Sequence, residues 1–280
     1  MVSIRDVQLK DGRLLRVYDT GVEEAADAPT VLWHHGSPQT GAPLEPLLSA
    51  AAARGIRLLS YGRPSYGGSS PHRGRNVASA GADVAQIVDA LGVARVAVMG
   101  ASGGGPHALA CAAFLPDRVT GVVCLAGLAP FTESFDWYAG MVAAGGLRAA
   151  SAGREARERY AVSAEFDVNS FTPADWAALN GAWASLGADS VQAGAAGPKG
   201  LIDDDLAFVA PWGFDVAQID APVLLVQGGQ DRVVPPTHAD WLMRNCRMSE
   251  LWLRPRDGHI SILSAVPLAM DWLRTQSEPL

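Results

Sequence analysis

Val96-Ala-Val-Met-Gly100-Ala101-Ser102-Gly103-Gly104-Gly105-Pro106-His107-Ala-Leu-Ala-Cys111-Ala-Ala-Phe114 is an apolar run that enters a turn of small residues and leaves it as an alanine-rich, helix-like stretch. A strand followed at once by a tight turn and a helix is the unit from which parallel sheets are built. The same alternation recurs along the chain. Short runs rich in Val, Leu and Ile lie at 30–34, 56–60, 95–99, 119–125 and 222–227, each followed by a Gly-containing turn and a helix-like segment. Ahead of them, Ser3–Leu9 and Leu14–Tyr18 flank Lys10-Asp11-Gly12-Arg13, whose Asp-Gly predicts a hairpin. The expectation is an α/β fold with a mostly parallel sheet that begins as an antiparallel pair. From 131 to 214 the strand signal is replaced by Ala-rich stretches, a Gly-rich run and Trp137, Trp176, Trp183 and Trp212, which predicts a helical insertion.

The turn itself carries chemistry. Gly100-x-Ser102-x-Gly104 places a hydroxyl on a sharp bend, and glycines two residues to either side remove the Cβ atoms that would collide there. A helix starting at this bend aims its first amides, Gly103 N–H among them, at the oxyanion formed if Ser102 attacks a carbonyl. A serine needs a base and a group to orient it. His259, in Arg256-Asp257-Gly258-His259-Ile260-Ser261, is the best base. Asp231, in Gln227-Gly-Gly-Gln-Asp231-Arg232-Val-Val-Pro235, is the orienting acid, with Asp257 as competitor. The order Ser, Asp, His suits three loops at the carboxyl edge of one parallel sheet. After the run Val31-Leu32-Trp33-His34-His35-Gly36-Ser37-Pro38, the N–H of Ser37 is the second oxyanion donor expected. His34 and His35 read as turn-fixing residues, and His107 as packed. His72 and His238 read as ordinary loop and helix-start residues.

With these pieces in place, the chain resembles the α/β-hydrolase superfamily over nearly its full length. The resemblance rests on His35-Gly36, Tyr61-Gly-Arg-Pro-Ser-Tyr-Gly-Gly-Ser69, Gly100-Ala-Ser102-Gly-Gly104, Gly228-Gly-Gln-Asp231-Arg-Val-Val-Pro and Asp257-Gly-His259. The second of these is similar to a loop of capped esterases and proline-iminopeptidase-like hydrolases, with Ser65 where Gly is usual. Ala101 and Gly103 stand beside Ser102 in place of the iminopeptidase Gly and Trp. A serine occupies the position where haloalkane dehalogenases and epoxide hydrolases carry Asp. The resemblance implies a twisted sheet of about eight strands, with a core from residues 1–130 and 215–280 and a helical cap at 131–214. It also implies cleavage of a small to medium ester or lactone through an acyl-enzyme, and the acidic, aromatic-rich composition of the insertion makes a neutral or cationic, partly apolar substrate the expectation. The alternatives are a C–C bond hydrolase, a haloperoxidase-like perhydrolase or a lyase on the same residues, and a non-catalytic receptor of the same fold.

Composition narrows the partners. Lys and Arg number 22 against 29 Asp and Glu, and the net charge of −7 opposes a phosphate backbone. Residues 131–215 hold 5 basic and 12 acidic residues, so that charge sits in the predicted insertion, where it would disfavour an anionic substrate. Asp203-Asp-Asp205 reads as a helix start rather than a metal site, since nothing is spaced to complete a cation shell. No Gly-x-Gly-x-x-Gly unit suggests a dinucleotide, so no cofactor is expected. Cys111, Cys124 and Cys246 have no paired spacing and read as buried thiols. The start Met1-Val-Ser-Ile-Arg-Asp6 has no apolar core, and no 18-residue apolar run occurs. A cytoplasmic monomer or homodimer is expected, with a small-molecule substrate and neither nucleic acid nor membrane as partner.

Overall fold

The computed structural model describes residues 1–21 and 28–277. Eight strands, β1 (Ser3–Gln8), β2 (Leu14–Asp19), β3 (Thr30–His34), β4 (Arg57–Tyr61), β5 (Val96–Ala101), β6 (Val119–Leu125), β7 (Val223–Gly228) and β8 (Ser249–Arg254), form one sheet in the order β1-β2-β4-β3-β5-β6-β7-β8. The Asp-Gly turn behaves as expected. Gly12 takes φ +87°, and the β1–β2 register runs from Ser3 opposite Asp19 to Gln8 opposite Leu14. β2 pairs antiparallel with β4, and every later pairing is parallel.

The helices are α1 (Glu45–Ala52), α2 (Ser79–Ala90), α3 (Gly104–Phe114), α4 (Gly145–Ser151), α5 (Arg154–Ser163), α6 (Pro173–Leu179), α7 (Ala184–Ala195), α8 (Lys199–Val209), α9 (Pro236–Asn245) and α10 (Val266–Ser277). The central strands are buried on both faces, which is why they read as continuous apolar runs rather than alternations. Leu32, Val98, Val122 and Leu225 join the core that contains α2 and α3. Their chain neighbours Val31, Met99, Val123 and Leu224 join the core that contains α1 and α10. Each such side chain contributes about 1.5–3 kcal/mol by leaving water.

The strand order decides where a site can form. The chain steps outward from β3 to β4 and then crosses back to place β5 on the other side of β3. The connections therefore diverge at the carboxyl ends of β3 and β5, the position at which open α/β sheets leave a crevice. The register puts His34 opposite Gly100, so the loops carrying Ser37 and Ser102 leave the sheet side by side. Between β6 and β7 the described residues form helices α4 to α8 and no strand. Among the described residues no helix is long and apolar enough to cross a membrane, and no group of three His, Cys, Asp or Glu is placed to hold a metal. The three cysteines are free and buried.

One local expectation fails. Asp203, Asp204 and Asp205 do not begin a helix, because α8 starts at Lys199 and places them on its middle turns. They are there to meet arginines: Asp203 pairs with Arg154, Asp205 with Arg157 at 2.6 Å, and Asp204 with Arg63 and Arg75 at 2.7 and 2.6 Å. A buried carboxylate keeps its charge only when a cation or several hydrogen-bond donors replace the water it loses.

Candidate active site

Ser102 follows the last residue of β5 and holds φ +52°, a left-handed conformation that a non-glycine residue adopts only when its surroundings enforce it. Its N–H donates to the Leu125 carbonyl at 2.8 Å, and its own carbonyl accepts from Gly105 N–H at 3.0 Å as α3 begins. The flanking glycines are sterically required. A Cβ on Gly100 would stand 2.3 Å from the Gly104 carbonyl oxygen, and one on Gly104 would stand 2.0 Å from that of His34.

His259 comes from the loop after β8, and Asp231 from the loop after β7. The structure brings both to Ser102: His259 Nδ1 lies 2.7 Å from Asp231 Oδ2, and His259 Nε2 lies 3.0 Å from Ser102 Oγ. The partners set the tautomer, with Nδ1–H donating to the carboxylate and Nε2 accepting from the hydroxyl. Asp231 is fixed at its other oxygen, Oδ1, by Val233 N–H and Val234 N–H at 2.8 and 2.9 Å, while Gln227 Nε2 donates at 3.3 Å to the Oδ2 that faces His259. Burial alone would lower the His259 pKa, yet the charge and hydrogen bond of Asp231, with a smaller push from Asp175, raise it above the ordinary imidazole value. Asp257 does not reach the ring. Its carboxylate stands 2.7 Å from Arg254.

Ser37 and Gly103 meet beside Ser102, since a Cβ on Gly103 would lie 2.5 Å from Ser37 Oγ. The Ser37 hydroxyl is occupied behind the site, donating to Asp204 and accepting from Arg63 at 2.8 Å. His35 is fully buried, its Nδ1–H donating to the Gly36 carbonyl at 2.6 Å and its Nε2 accepting from Arg63 N–H at 3.0 Å. Burial, aided by the charge of Arg63, keeps its pKa well below the ordinary value. His35 thus fixes the turn that carries Ser37. His34 is buried with Nε2 3.4 Å from Cys111 Sγ, and His107 is buried with Nδ1–H donating to the Gly103 carbonyl at 2.7 Å. His238 lies in the first turn of α9, as its helix-start reading has it, and is buried there. It ties Ala129 N–H to the Trp137 carbonyl, each at 3.0 Å. Ser65 adopts φ +74°, taking the left-handed backbone for which Gly is usual.

A cavity of about 550 Å³ opens above Ser102 and His259, walled mainly by Trp33, Phe166, Phe171, Trp176, Leu179 and Leu186. Among the described residues that line it none is Lys, Arg, Asp or Glu. Of the four tryptophans in the β6–β7 segment, Trp137, Trp183 and Trp212 are buried in packing, and Trp176 faces the cavity. Two acidic residues matter here that the sequence reading did not single out. Asp189 on α7 accepts from Thr40 N–H at 3.0 Å and from its hydroxyl, holding the loop after Ser37. Asp175 on α6 binds the loop that carries His259. Thr172-x-x-Asp175 is a capping-box pattern and was the available signal for the second.

Such an arrangement can pass the Ser102 proton to His259 as the oxygen attacks an electrophile, while the carboxylate stabilises the imidazolium that forms. Comparison with known proteins bears on the frame that carries it. A family model described as the alpha/beta hydrolase fold matches residues 29–266. Three solved structures share the fold from end to end. A thermophilic esterase from Thermogutta terrifontis superposes with TM-score 0.70 at 19% identity, covering 99% of this chain and 100% of its own. The enol-lactonase from Burkholderia xenovorans LB400 gives 0.70 at 20%, covering 98% and 97%. A bromoperoxidase from Bacillus anthracis gives 0.73 at 23%, covering 98% of each chain.

Proposed function

Because the chain belongs to the alpha/beta hydrolase fold family, we propose that it is a serine hydrolase that cleaves a carboxylic ester or lactone through an acyl-enzyme. The observation that carries this reading is the bridging imidazole of His259, 3.0 Å from Ser102 Oγ and 2.7 Å from Asp231 Oδ2. In the first half-reaction Ser102 Oγ attacks the carbonyl carbon and its proton moves to His259 Nε2. The carbonyl oxygen, now anionic, is held by the Ser37 and Gly103 amides. The tetrahedral adduct collapses, His259 returns the proton to the departing alkoxide, and the acyl group stays on Ser102. Water then attacks the acyl carbon and gives its proton to His259; the second adduct collapses by breaking the bond to Ser102 Oγ, which takes that proton back as the acid leaves. Asp231 keeps the ring in the productive tautomer throughout.

The substrate class follows from the cavity. A volume of about 550 Å³ suits a small to medium ligand. Aromatic and aliphatic walls without a charged side chain favour a neutral, partly apolar ester. The −7 of the insertion is partly offset in the folded chain, because Asp204 is paired with Arg63 and Arg75 from outside that segment. Arg63 is not available to an anion either, being buried and paired with Asp204. Helices α4 to α8 act as a cap over the site in this reading. Turnover of p-nitrophenyl esters of graded chain length, lost on Ser102→Ala, is the expected result, and equal turnover by that variant would reject the assignment.

A further inference from the structure

Asp175 is the third residue of α6 and has no exposure to solvent. Its carboxylate collects five donors from two directions. Thr172 N–H reaches Oδ2 at 2.9 Å, which with Asp175 N–H donating to Thr172 Oγ1 at 3.2 Å makes the capping box of α6 itself, and Thr172 Oγ1–H adds a bond to Oδ2 at 2.8 Å. Ile260 N–H, Ser261 N–H and Ser261 Oγ–H all reach Oδ1 at 2.8 Å. No helix cap requires those three. They come from the two residues that follow His259, on a loop far away in the chain. The Ser261 oxygen in turn accepts from Gly258 N–H at 2.7 Å, so the 258–261 turn closes on a hydroxyl that itself closes on Asp175. A Cβ on Gly258 would stand 2.1 Å from Asp175 Oδ2. The glycine between Asp257 and His259 is therefore what lets this carboxylate lie against the turn.

On the reading of Ser102 and His259 given above, we propose that Asp175 is a positioning residue for the base, clamping the His259 turn to α6 so that the ring stays between Ser102 and Asp231. The helix that walls the cavity with Trp176 and the loop that supplies the base are then one mechanical unit. Misplacing a reacting group by about 1 Å can cost about 100-fold in rate, so a clamp of this kind is felt in catalysis even though Asp175 touches no substrate. It acts on charge as well. The carboxylates facing His259 are Asp231 from the β7–α9 loop and Asp175 from α6. On the ring's own turn Asp257 is paired with Arg254 of β8, and Arg232 is exposed, donating to the Asn169 carbonyl at 3.4 Å. The turn at 261–265 and α10 bring apolar Ile262, Leu263 and Val266, and β5 brings the uncharged Ser102. Each carboxylate favours the imidazolium, so loss of one lowers the pH at which His259 takes up its proton.

Asp175→Asn keeps the shape, removes the charge and sets an NH₂ group against backbone N–H groups of Thr172 or of Ile260 and Ser261, which only donate. The expected result is a kcat reduced about 10- to 100-fold with KM changed less than about threefold. The acid limb of the kcat/KM profile should move to lower pH. Titration of the His259 ring by NMR, on Ser102→Ala protein with and without Asp175→Asn, reads the same shift without turnover. Hydrogen exchange at the Ile260 and Ser261 amides should quicken at least about tenfold. If the wild-type protein cleaved no ester, the hydrolase reading would fail while ring titration and exchange still reported on the clamp. An unchanged His259 midpoint together with unchanged exchange overturns the proposal. Should Asp175→Asn not fold, Ser261→Ala takes its place: faster exchange at Gly258 and Ile260 with reduced kcat supports the clamp, and unaltered values of both reject it.

Discussion

Arg63 Nη2 and Asp204 Oδ2 stand 2.7 Å apart with 1% and 0% of their side chains exposed, a buried ion pair between the loop after β4 and the middle of α8. Arg75 reaches the other oxygen at 2.6 Å and Tyr66 Oη–H donates at 2.9 Å. Arg63 also donates to the carbonyls of His35 and Gly36 and to Ser37 Oγ. The backbone turn that presents the Ser37 amide is therefore held by charges that only the inserted helices complete. Removing one member of a buried pair costs about 3–5 kcal/mol, because the partner is left uncompensated in low dielectric. Asp204→Ala is expected to lower stability by about that much in urea unfolding, since it strands two guanidinium groups. A loss below about 1 kcal/mol would mean that water replaces the carboxylate there.

The same pair sets a pH dependence. Burial would raise the Asp204 pKa, but Arg63 and Arg75 outweigh it and hold the carboxyl well below its ordinary value of 3.8. For a carboxyl depressed in the folded state, the stabilisation is present above the unfolded value and is lost as pH falls toward the folded one. Wild-type stability should therefore fall below about pH 4, and the difference between wild type and Asp204→Asn should shrink over the same interval. A difference that is flat from neutral pH to pH 2 would contradict the charged state assigned to Asp204.

Asp231 and Asp257 make a second contrast. Asp231→Asn leaves His259 in the wrong tautomer and is expected to reduce kcat by about 10⁴. Asp257→Asn, whose half-buried carboxylate faces Arg254 and not the ring, should change kcat less than about threefold, because no hydrogen bond to His259 is lost. Comparable losses in two folded variants would return the orienting role to Asp257.

The tryptophans divide by environment. Trp137, 2% exposed and donating from Nε1 to the Ala129 carbonyl at 2.9 Å, is a packing residue, and Trp137→Ala should cost about 3–5 kcal/mol in unfolding. Trp176 is 36% exposed and sits 5.3 Å from the Phe171 ring on the cavity wall. Trp176→Ala should leave stability nearly unchanged and raise KM about 3- to 10-fold for long acyl or alkyl esters, with short ones spared. A uniform effect over chain length would place Trp176 outside the binding wall.

Much of this arrangement is legible in the sequence because it is local. Gly100-x-Ser102-x-Gly104 between an apolar run and an alanine-rich stretch specifies its turn within ten residues, as does Asp11-Gly12 for the hairpin. The edge strand β8 shows only its apolar centre at 251–253, since its exposed residues need not be apolar. Asp175 is legible as a helix cap through Thr172-x-x-Asp175 but not as a partner of the His259 loop, and Asp204 is not legible as a site residue. Their partners lie about 85 and 130 or more positions away, and the apposition depends on how five helices pack, which no periodicity encodes. Asp204 is misread for the same reason: three adjacent carboxylates suit a helix start by dipole alone, and only distant arginines explain them in mid-helix.

Glycines separate steric need from tolerance. Gly104→Ala drives a methyl group toward the His34 carbonyl and should cost about 1–3 kcal/mol with loss of activity, because the atom it meets is backbone that cannot turn aside. Gly194 in α7 has open space at its Cβ, and Gly194→Ala should gain up to about 1 kcal/mol. Similar unfolding midpoints for the two variants would undo the steric argument for the Ser102 turn.

Covalent labelling tests the central claim most directly. A fluorophosphonate added to active protein and followed by peptide mapping should give one adduct per chain, on Ser102, with none formed by Ser102→Ala and a slow reaction in Asp231→Asn. An adduct at another residue, or active protein that takes up no label, would contradict the assignment of Ser102 as the nucleophile.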